Sequence, residues 1–213
     1  MFMTRVNAME TAARRQNLKQ SLIDTAEQQI AAHGLHGLRA RTLADRIGCA
    51  VGAIYNVVSD LDELILLVNS RTLSALEAQL LAAGHTSDGP GLDGAIERLG
   101  RMALAYLDFA TANRPRWRAV FEHRLPPRKV LPKWYLDDQM RLFGYIEGPV
   151  GELLPDVSPS RRALIARTLF SAVHGIVTLG LEEKLQTLAP DELREQVTFA
   201  VAAVARGLRE GSN

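Results

Sequence analysis

The sequence predicts an all-α protein with an N-terminal three-helix helix-turn-helix domain and a C-terminal helical bundle, about nine helices in all. Two observations predict this class. Apolar residues recur every three or four positions through most of the 213 residues. No run of alternating β-branched residues indicates a strand, and no segment repeats. We expect residues 1–60 to form the first domain and residues 61–213 to form the second.

The first four helices are predicted in close succession. Apolar residues mark the first helix by recurring every four positions, at Leu18, Leu22, Ala26 and Ile30. A second helix is expected at 40–47 and a third from Val51 to about Val57, each preceded by glycine-containing segments. Asp60 and Glu63 then form the pattern of a capping box, which begins a long fourth helix ending near Ala83.

The remaining helices follow a linker at 85–91, where Gly, Ser, Thr and Pro are concentrated. Five more helices are expected: 92–113, one beginning near Pro115, 134–154, about 160–188, and about 190–208. Pro115 suits a first helical turn, because the N–H that proline lacks is unpaired there in any case. Three prolines between residues 124 and 132 predict an irregular loop.

Composition excludes several classes of protein. Hydrophobic residues make up 47% of the chain and charged residues 23%, which is too apolar for a disordered protein. The uninterrupted apolar runs are far shorter than the ~20 residues of a membrane helix, and no secretory signal is visible. Cys49 also has no second cysteine with which to pair, and together these observations lead us to expect a soluble cytoplasmic protein without a membrane partner. The net charge of +1 does not indicate nucleic acid by itself.

Several short motifs have a characteristic order and spacing. In the N-terminal part they are Gly34-Leu35, Leu38, Leu43-Ala44, Ile47-Gly48, Gly52-Ala53-Ile54-Tyr55 and Asp62-Glu63-Leu64. At these points the sequence resembles the tetracycline-repressor (TetR) family of transcription regulators. In the C-terminal part the motifs are Ala105-Tyr106, Phe109-Ala110, Pro115, Trp117, Phe121, Phe170 and His174-Gly175. These resemble the WHG subtype of the family's ligand domain, with Phe170 where that subtype usually has tryptophan.

The resemblance implies a repressor that binds double-stranded DNA through the second and third helices. The expected contact residues are Arg39, Arg41, Val51, Gly52, Ala53, Tyr55 and Asn56. An arginine at position 39 can bind a phosphate through two parallel hydrogen bonds. Tyr55 can donate to a phosphate, and Asn56 can read a base edge. The alternative interpretation is that the arginines of this segment form a solvated face.

Five positions depart from the family's pattern. Arg39 and Ala50 replace the residues that usually cap the second and third helices, and Val51 replaces a usual lysine or arginine. Val57 and Leu61 replace usual phosphate contacts. A lost cap costs about 1 kcal/mol, and lost phosphate donors weaken DNA binding. An alternative therefore stays open, in which the protein has lost DNA binding and acts as a ligand- or protein-binding dimer.

The resemblance also implies a homodimer formed by the last two helices. The expected interface residues are Ser171, Gly175, Leu193, Val197, Val201 and Val204. The alternative is that these residues pack inside the monomer. A two-fold dimer would let the helix-turn-helix motifs span two half-sites about 34 Å apart, and would therefore read a palindromic operator.

Aromatic and apolar residues of the middle helices predict a cavity for a lipophilic or aromatic effector. The candidates are Met102, Tyr106, Phe109, Trp117, Phe121, Phe143, Phe170 and His174. The same residues would equally suit an ordinary helical core. We expect a bound effector to shift the long helix at 62–83 and so release DNA. A regulator without any ligand is the alternative.

No pattern in the sequence predicts catalysis, a cofactor or a metal site. There is no Gly-rich phosphate loop and no Gly-x-Ser-x-Gly elbow. His33 and His36 lie three residues apart, but neither a carboxylate nor a cysteine accompanies them. Cys49 fits the small apolar position of the turn, and His123 is expected at the surface. His174 lies in an apolar helix, where either a core position or a place in the cavity is consistent with its neighbours.

Overall fold

A computed structural model describes residues 2–84, 92–182 and 188–210, in which the only regular elements are helices. The nine α-helices of these ranges are α1 (Phe2–His33), α2 (Ala40–Ile47), α3 (Val51–Ile54), α4 (Leu61–Gly84), α5 (Leu92–Ala112), α6 (Arg114–Glu122), α7 (Lys133–Leu153), α8 (Pro159–Gly180) and α9 (Pro190–Glu210). A single 3₁₀ turn, Leu35–Gly37, joins α1 to α2. The predicted all-α class is confirmed.

Two helices are shorter than the sequence predicted. The third helix ends at Ile54 instead of near residue 57, because the following residues form turns in which the Val57 N–H donates to the Ile54 carbonyl at 3.0 Å. The eighth helix ends at Gly180, short of the expected residue 188. Residues 183–187 and the predicted linker at 85–91 lie outside the described residues.

The chain divides into two compact units, and the division lies inside α4. The first unit comprises Met1–Thr72 and Asn113–Leu131, and the second comprises Leu73–Ala112 and Pro132–Asn213. The predicted boundary at residue 60 differs from this division. The difference arises because α6 packs against α1, although the two helices lie about 80 residues apart in the chain.

The first unit has one apolar core, to which α1, α2, α3, α4 and α6 all contribute. Its most deeply buried members are Leu22, Ala26, Ile30, Leu43, Ala44, Ile54, Leu64, Val68 and Ala119. The stripe that predicted α1 is thus the face that α1 buries, with only Leu18 partly exposed. Cys49 is half-buried and packs against the same core, as expected for a small apolar turn residue.

Polar contacts attach α6 to the rest of the first unit. The buried Asn69 side chain on α4 donates from Nδ2 to the Ala119 carbonyl at 3.1 Å. Arg116 forms an ion pair with Glu27 of α1 at 2.7 Å, and Glu27 also accepts a hydrogen bond from Arg71 at 2.9 Å. These contacts fix α6 beside α1 and α4, which explains why the compact unit extends beyond residue 60.

The start of α4 is capped as the sequence predicted. The Glu63 N–H donates to Asp60 Oδ1 at 2.9 Å, and Glu63 Oε2 accepts from the Ser59 N–H at 2.7 Å. Lys129 also donates to Asp60 Oδ2 at 2.6 Å and to Asp62 Oδ2 at 2.9 Å. The hydrogen bond from Lys129 and that from the Glu63 N–H hold the pKa of the Asp60 carboxyl below its usual value.

The second unit consists of the C-terminal part of α4 together with α5, α7, α8 and α9. In it α5 packs on α7, α8 and α9, and α8 packs on both α7 and α9. Arg98 on α5 and Glu152 on α7 form a bidentate ion pair, with N–O distances of 2.8 and 3.0 Å. At the end of α8, a Cβ atom on Gly180 would clash with the Leu193 side chain, so this glycine permits the close approach of α9.

Two helices, α4 and α8, have the length and apolar composition of a membrane-crossing helix. Half of the apolar stretch of α4 is buried within the chain, where it supplies the core residues Leu64 and Val68. For α8 the buried share is only 28%. Helix α8 therefore exposes apolar surface that the folding of one chain does not require.

Candidate functional site

The second and third helices form a helix-turn-helix motif. The turn between them depends on Gly48, which has the left-handed backbone angles φ 74° and ψ 37°. The Cys49 N–H donates back to the Ala44 carbonyl at 3.0 Å, which closes the end of α2. Both α2 and α3 bury apolar residues in the core of the first unit, so the motif is anchored in that core.

Six of the seven predicted contact residues are exposed, and the seventh, Ala53, is half-buried. The exposed set is Arg39, Arg41, Val51, Gly52, Tyr55 and Asn56. Val51 and Tyr55 are apolar or aromatic side chains that remain 38% and 48% exposed. The other arginine of α2, Arg46, binds the buried Gln29 in the amide orientation that satisfies both groups, at 2.7 and 3.1 Å.

The departures from the family pattern have visible structural consequences. Arg39 and Ala50 stand at the positions before α2 and α3, and neither side chain makes a capping hydrogen bond. Val57 is 6% exposed and belongs to the core, and Leu61 is half-buried against it. These last two residues therefore serve packing, and phosphate contacts at their positions are lost.

The sequence did not predict a polar cluster next to α4. Lys129, from the loop after α6, binds Asp60 and Asp62, and His123 Nε2 lies 3.4 Å from Asp62 Oδ1. His123 was expected at the surface but is half-buried, and burial lowers the pKa of its imidazole. No local pattern could have indicated this cluster, because more than 60 residues separate its two halves.

Four of the eight predicted cavity residues form one aromatic cluster in the second unit. Phe170 lies at its centre, with ring centroids at 5.7 Å from Tyr106, 5.4 Å from Phe143 and 5.4 Å from His174. Tyr106 is buried, but the other three remain partly exposed. The cluster therefore has an apolar interior and an accessible side.

One polar pair lies within this cluster. The Tyr106 hydroxyl and His174 Nδ1 are 2.7 Å apart, a hydrogen bond whose direction depends on the histidine tautomer. Thr178 Oγ1 lies 3.4 Å from the other ring nitrogen, Nε2. Burial lowers the pKa of His174, which favours the neutral imidazole. The pair thus presents uncharged hydrogen-bonding groups among aromatic rings.

The other four predicted cavity residues divide between the two units. Met102 and Phe109 are buried on α5. Trp117 and Phe121 belong to the first unit, where their rings meet edge to face with centroids 5.7 Å apart. The structure thus brings together Tyr106 and its three neighbours, whereas it assigns the two α6 aromatics to a different compact unit.

The predicted dimer residues fall into two groups. Leu193, Val197 and Val201 are at most 4% exposed, because they face α5 and α8 within their own unit. Within one chain this burial fits the interpretation in which the stripe packs inside the monomer, and a part for these residues in a dimer interface stays a prediction. Ser171 is exposed, and Gly175 and Val204 are half-buried. Close approach of α8 and α9 occurs at Gly180, whereas a Cβ on Gly175 would meet nothing.

The opposite faces of α8 and α9 carry large apolar side chains that the chain leaves in water. Phe199 is 75% exposed, Leu179 is 61% exposed and Leu164 is 51% exposed. We call the exposed sides of these two helices the outer face, which includes Leu164, Thr168, Ser171, Thr178 and Leu179 on α8 and Glu195, Phe199, Ala203 and Arg206 on α9; the charged Arg161, Arg167 and Glu192 are exposed on the same helices. Small residues between large apolar ones suit the approach of another helix.

A model of the tetracyclin repressor-like C-terminal domain matches residues 99–204. This match does not distinguish the WHG subtype, which stays a prediction. No protein of curated function matches the sequence.

Solved structures of similar fold cover most of the chain. A protein of unknown function from Rhodococcus sp. RHA1 is 24% identical, with a TM-score of 0.70 over 89% of this chain and 94% of that one. The TetR family regulator PfmR from Thermus thermophilus is 17% identical, with a TM-score of 0.59 over 88% and 98%. BioQ, solved with its natural double-stranded DNA operator, is 17% identical, with a TM-score of 0.60 over 90% and 98%.

Proposed function

Because the chain belongs to the tetracycline-repressor (TetR) family of transcriptional regulators, we propose that it is a cytoplasmic repressor. It binds a palindromic operator as a homodimer and leaves the DNA when a lipophilic or aromatic effector binds. The observation that carries this proposal is the helix-turn-helix motif, which packs into the core of the first unit and exposes six of its seven predicted contact residues. BioQ, a protein of similar fold, is known with its operator, which supports the same use of the motif here.

We expect some side chains of this motif to bind phosphates and so position the protein, and others to contact base edges and so select the sequence. Arg39 and Arg41 are exposed cations at the start of α2 that can bind phosphates, and the Tyr55 hydroxyl can donate to another. Arg46 is engaged by Gln29 and therefore contributes less to phosphate binding. The number of phosphate contacts expected per chain is small, so the dimer needs both copies of the motif for tight binding.

The outer face supports dimerisation. A large exposed aromatic side chain such as Phe199 costs solubility in a monomer, and Leu164 and Leu179 extend the apolar surface along α8. The same α8 is apolar enough to be buried on every side, yet its own chain buries little of it. A second copy that places its own outer face here would form a two-fold interface.

The aromatic cluster supports an effector site. Phe143, Phe170 and His174 are partly exposed, and the Tyr106–His174 pair offers one neutral hydrogen-bonding position among them. An effector with an aromatic or lipophilic body and a single polar group fits this chemistry. Such a ligand acts only if its affinity differs between the DNA-competent conformation and the other one, and we propose that α4 carries this difference.

The test is selection of genomic DNA fragments on the purified protein, followed by titration of the selected fragments at several salt concentrations. We expect selective binding that weakens steeply with salt. Arg39→Ala should reduce the slope of log K against log salt by about one. Lys133→Ala is the control, because Lys133 is an exposed cation at the start of α7, outside both the helix-turn-helix motif and the outer face, and it should leave the slope unchanged.

A second candidate function is a helix-turn-helix protein that has lost DNA binding and acts as a ligand- or protein-binding dimer. The uncapped α2 and α3 and the packing of Val57 and Leu61 favour it. Absence of any selected fragment at low salt would establish this candidate over the first. A shift of the melting temperature in a panel of aromatic small molecules would then locate the remaining activity in the second unit.

A further inference from the structure

The solvent-exposed residues from the end of α2 to Ser59 include no charged side chain. Among them, we define the reading surface as Ala50, Val51, Gly52, Tyr55 and Asn56. Residues 48–59 are described without a gap and contain no Arg, Lys, Asp or Glu. Methyl groups, one phenol and one carboxamide are therefore the only chemistry that this surface offers to a base edge.

These groups match one base pair. In the major groove, thymine is the base that presents a methyl group, whereas a carboxamide pairs with N6 and N7 of adenine through two hydrogen bonds. Guanine is read mainly by Arg or Lys, and cytosine by Asp or Glu. The reading surface has the partners for A·T and lacks those for G·C.

Gly52 adds an independent observation. A Cβ atom built on Gly52 would meet no atom of the chain within 4 Å, so packing does not require a glycine there. Glycine in a helix is also less stable than alanine. The missing side chain leaves open space beside Val51, into which a base edge can approach closely.

From this chemistry we infer that the protein reads its operator through thymine methyl groups and adenine. Val51 contacts the methyl group of a thymine, Asn56 binds the N6 and N7 atoms of an adenine, and Gly52 makes room for both. The inference rests on the proposed function, because it concerns how the same motif selects its DNA. It predicts A·T pairs at the centre of each half-site and places G·C pairs outside the reading surface.

The experiment replaces single thymines of a selected fragment by uracil, which removes only the methyl group. At a contacted position we expect binding to weaken about fourfold, the effect of removing one methyl group from an apolar contact. Uracil at positions outside the half-sites is the matched control and should have no effect. Replacement of adenine by 7-deazaadenine, which lacks N7, tests Asn56 in the same way.

Protein variants connect these effects to the named residues. In Val51→Ala the loss caused by uracil should shrink at one position and persist at the others. Asn56→Ala should remove the sensitivity to 7-deazaadenine. Gly52→Ala should weaken binding while it leaves the melting temperature equal or higher, which separates lost space for DNA from lost stability.

The outcomes separate this inference from the function on which it rests. Selected fragments that bind equally well with uracil at every thymine overturn the thymine reading and leave the regulator intact. Half-sites whose central pairs are G·C overturn it as well. If no fragment is selected at low salt, the proposed function fails, and the inference fails with it.

Discussion

Phe199 provides the sharpest test of the outer face. Its ring is the most exposed aromatic side chain among the described residues, at 75%, and it lies in the middle of α9. We predict that Phe199→Ala weakens self-association without unfolding the chain. The fold is expected to persist because the ring makes little contact within its own unit, and alanine favours a helix.

The size of the effect follows from the area of the ring. An exposed fraction of 75% leaves about 150 Å² of the side chain in water, of which alanine lacks about 100 Å². At ~25 cal/mol per Å², complete burial of that area contributes about 2.5 kcal/mol per chain, or about 5 kcal/mol for a symmetric pair. A partner that covers half of it gives about 2.5 kcal/mol, which corresponds to a dissociation constant about 70-fold higher.

Sedimentation velocity over a range of protein concentrations measures this constant. Val130→Ala is the matched control, since Val130 is 82% exposed on a loop of the first unit and lies far from α9 in sequence. We expect Val130→Ala to dimerise like the unaltered protein. Equal dissociation constants for Phe199→Ala and the unaltered protein would show that the outer face is not the dimer interface.

Three further predictions concern stability and titration. Asp60→Ala should lower the free energy of unfolding by about 1 kcal/mol in urea titrations at neutral pH. Because the folded state lowers the pKa of Asp60, this difference should persist above pH 3.8 and disappear as the pH falls through the folded pKa. Burial lowers the pKa of His174, so its NMR titration midpoint should lie below 6.5, and stability should fall as the pH drops below 6.5; a midpoint above 6.5 would contradict the burial. Gly48→Ala should cost about 1–2 kcal/mol, because φ is 74°, whereas Gly144→Ala in α7 should cost nothing.

Local patterns were sufficient to predict most of the helices. The spacing of apolar residues predicted the buried stripe of α1, and Asp60 with Glu63 predicted the start of α4. These predictions succeeded because caps and stripes depend on residues three or four positions apart. The end of α3 was predicted three residues too late, since Val57 packs in the core from a turn as well as it would from a helix.

Contacts between distant segments could not be predicted in this way. The attachment of α6 through Asn69 and Arg116, and the contact of Lys129 with Asp60, join residues that are 50 or more positions apart. The first compact unit therefore includes residues beyond the boundary predicted at residue 60. Nothing in the local sequence distinguishes a lysine that reaches such a partner from one on a solvated loop.

In the candidate site, too, local patterns predict some features, and others depend on how the chain packs. The exposure of Arg41 follows from the amphipathic pattern of α2, which the sequence contains, whereas Arg39, Tyr55 and Asn56 lie just outside α2 and α3. Helix α9 carries apolar residues on two sides, and periodicity does not reveal which side the chain itself covers. The stripe with Val197, predicted as the interface with packing inside the monomer as the alternative, is buried within the chain, and Phe199 on the other side is exposed.

Hydroxyl-radical footprinting of a selected fragment tests the central claim most directly. A two-fold dimer with one helix-turn-helix motif per chain predicts two symmetric protected regions, with centres about one helical turn of DNA, ~34 Å, apart or slightly more. Both regions should be lost together in Phe199→Ala at concentrations where that variant is monomeric. A single asymmetric region, or protection that survives in the monomer, would contradict the proposed dimeric reading of a palindrome.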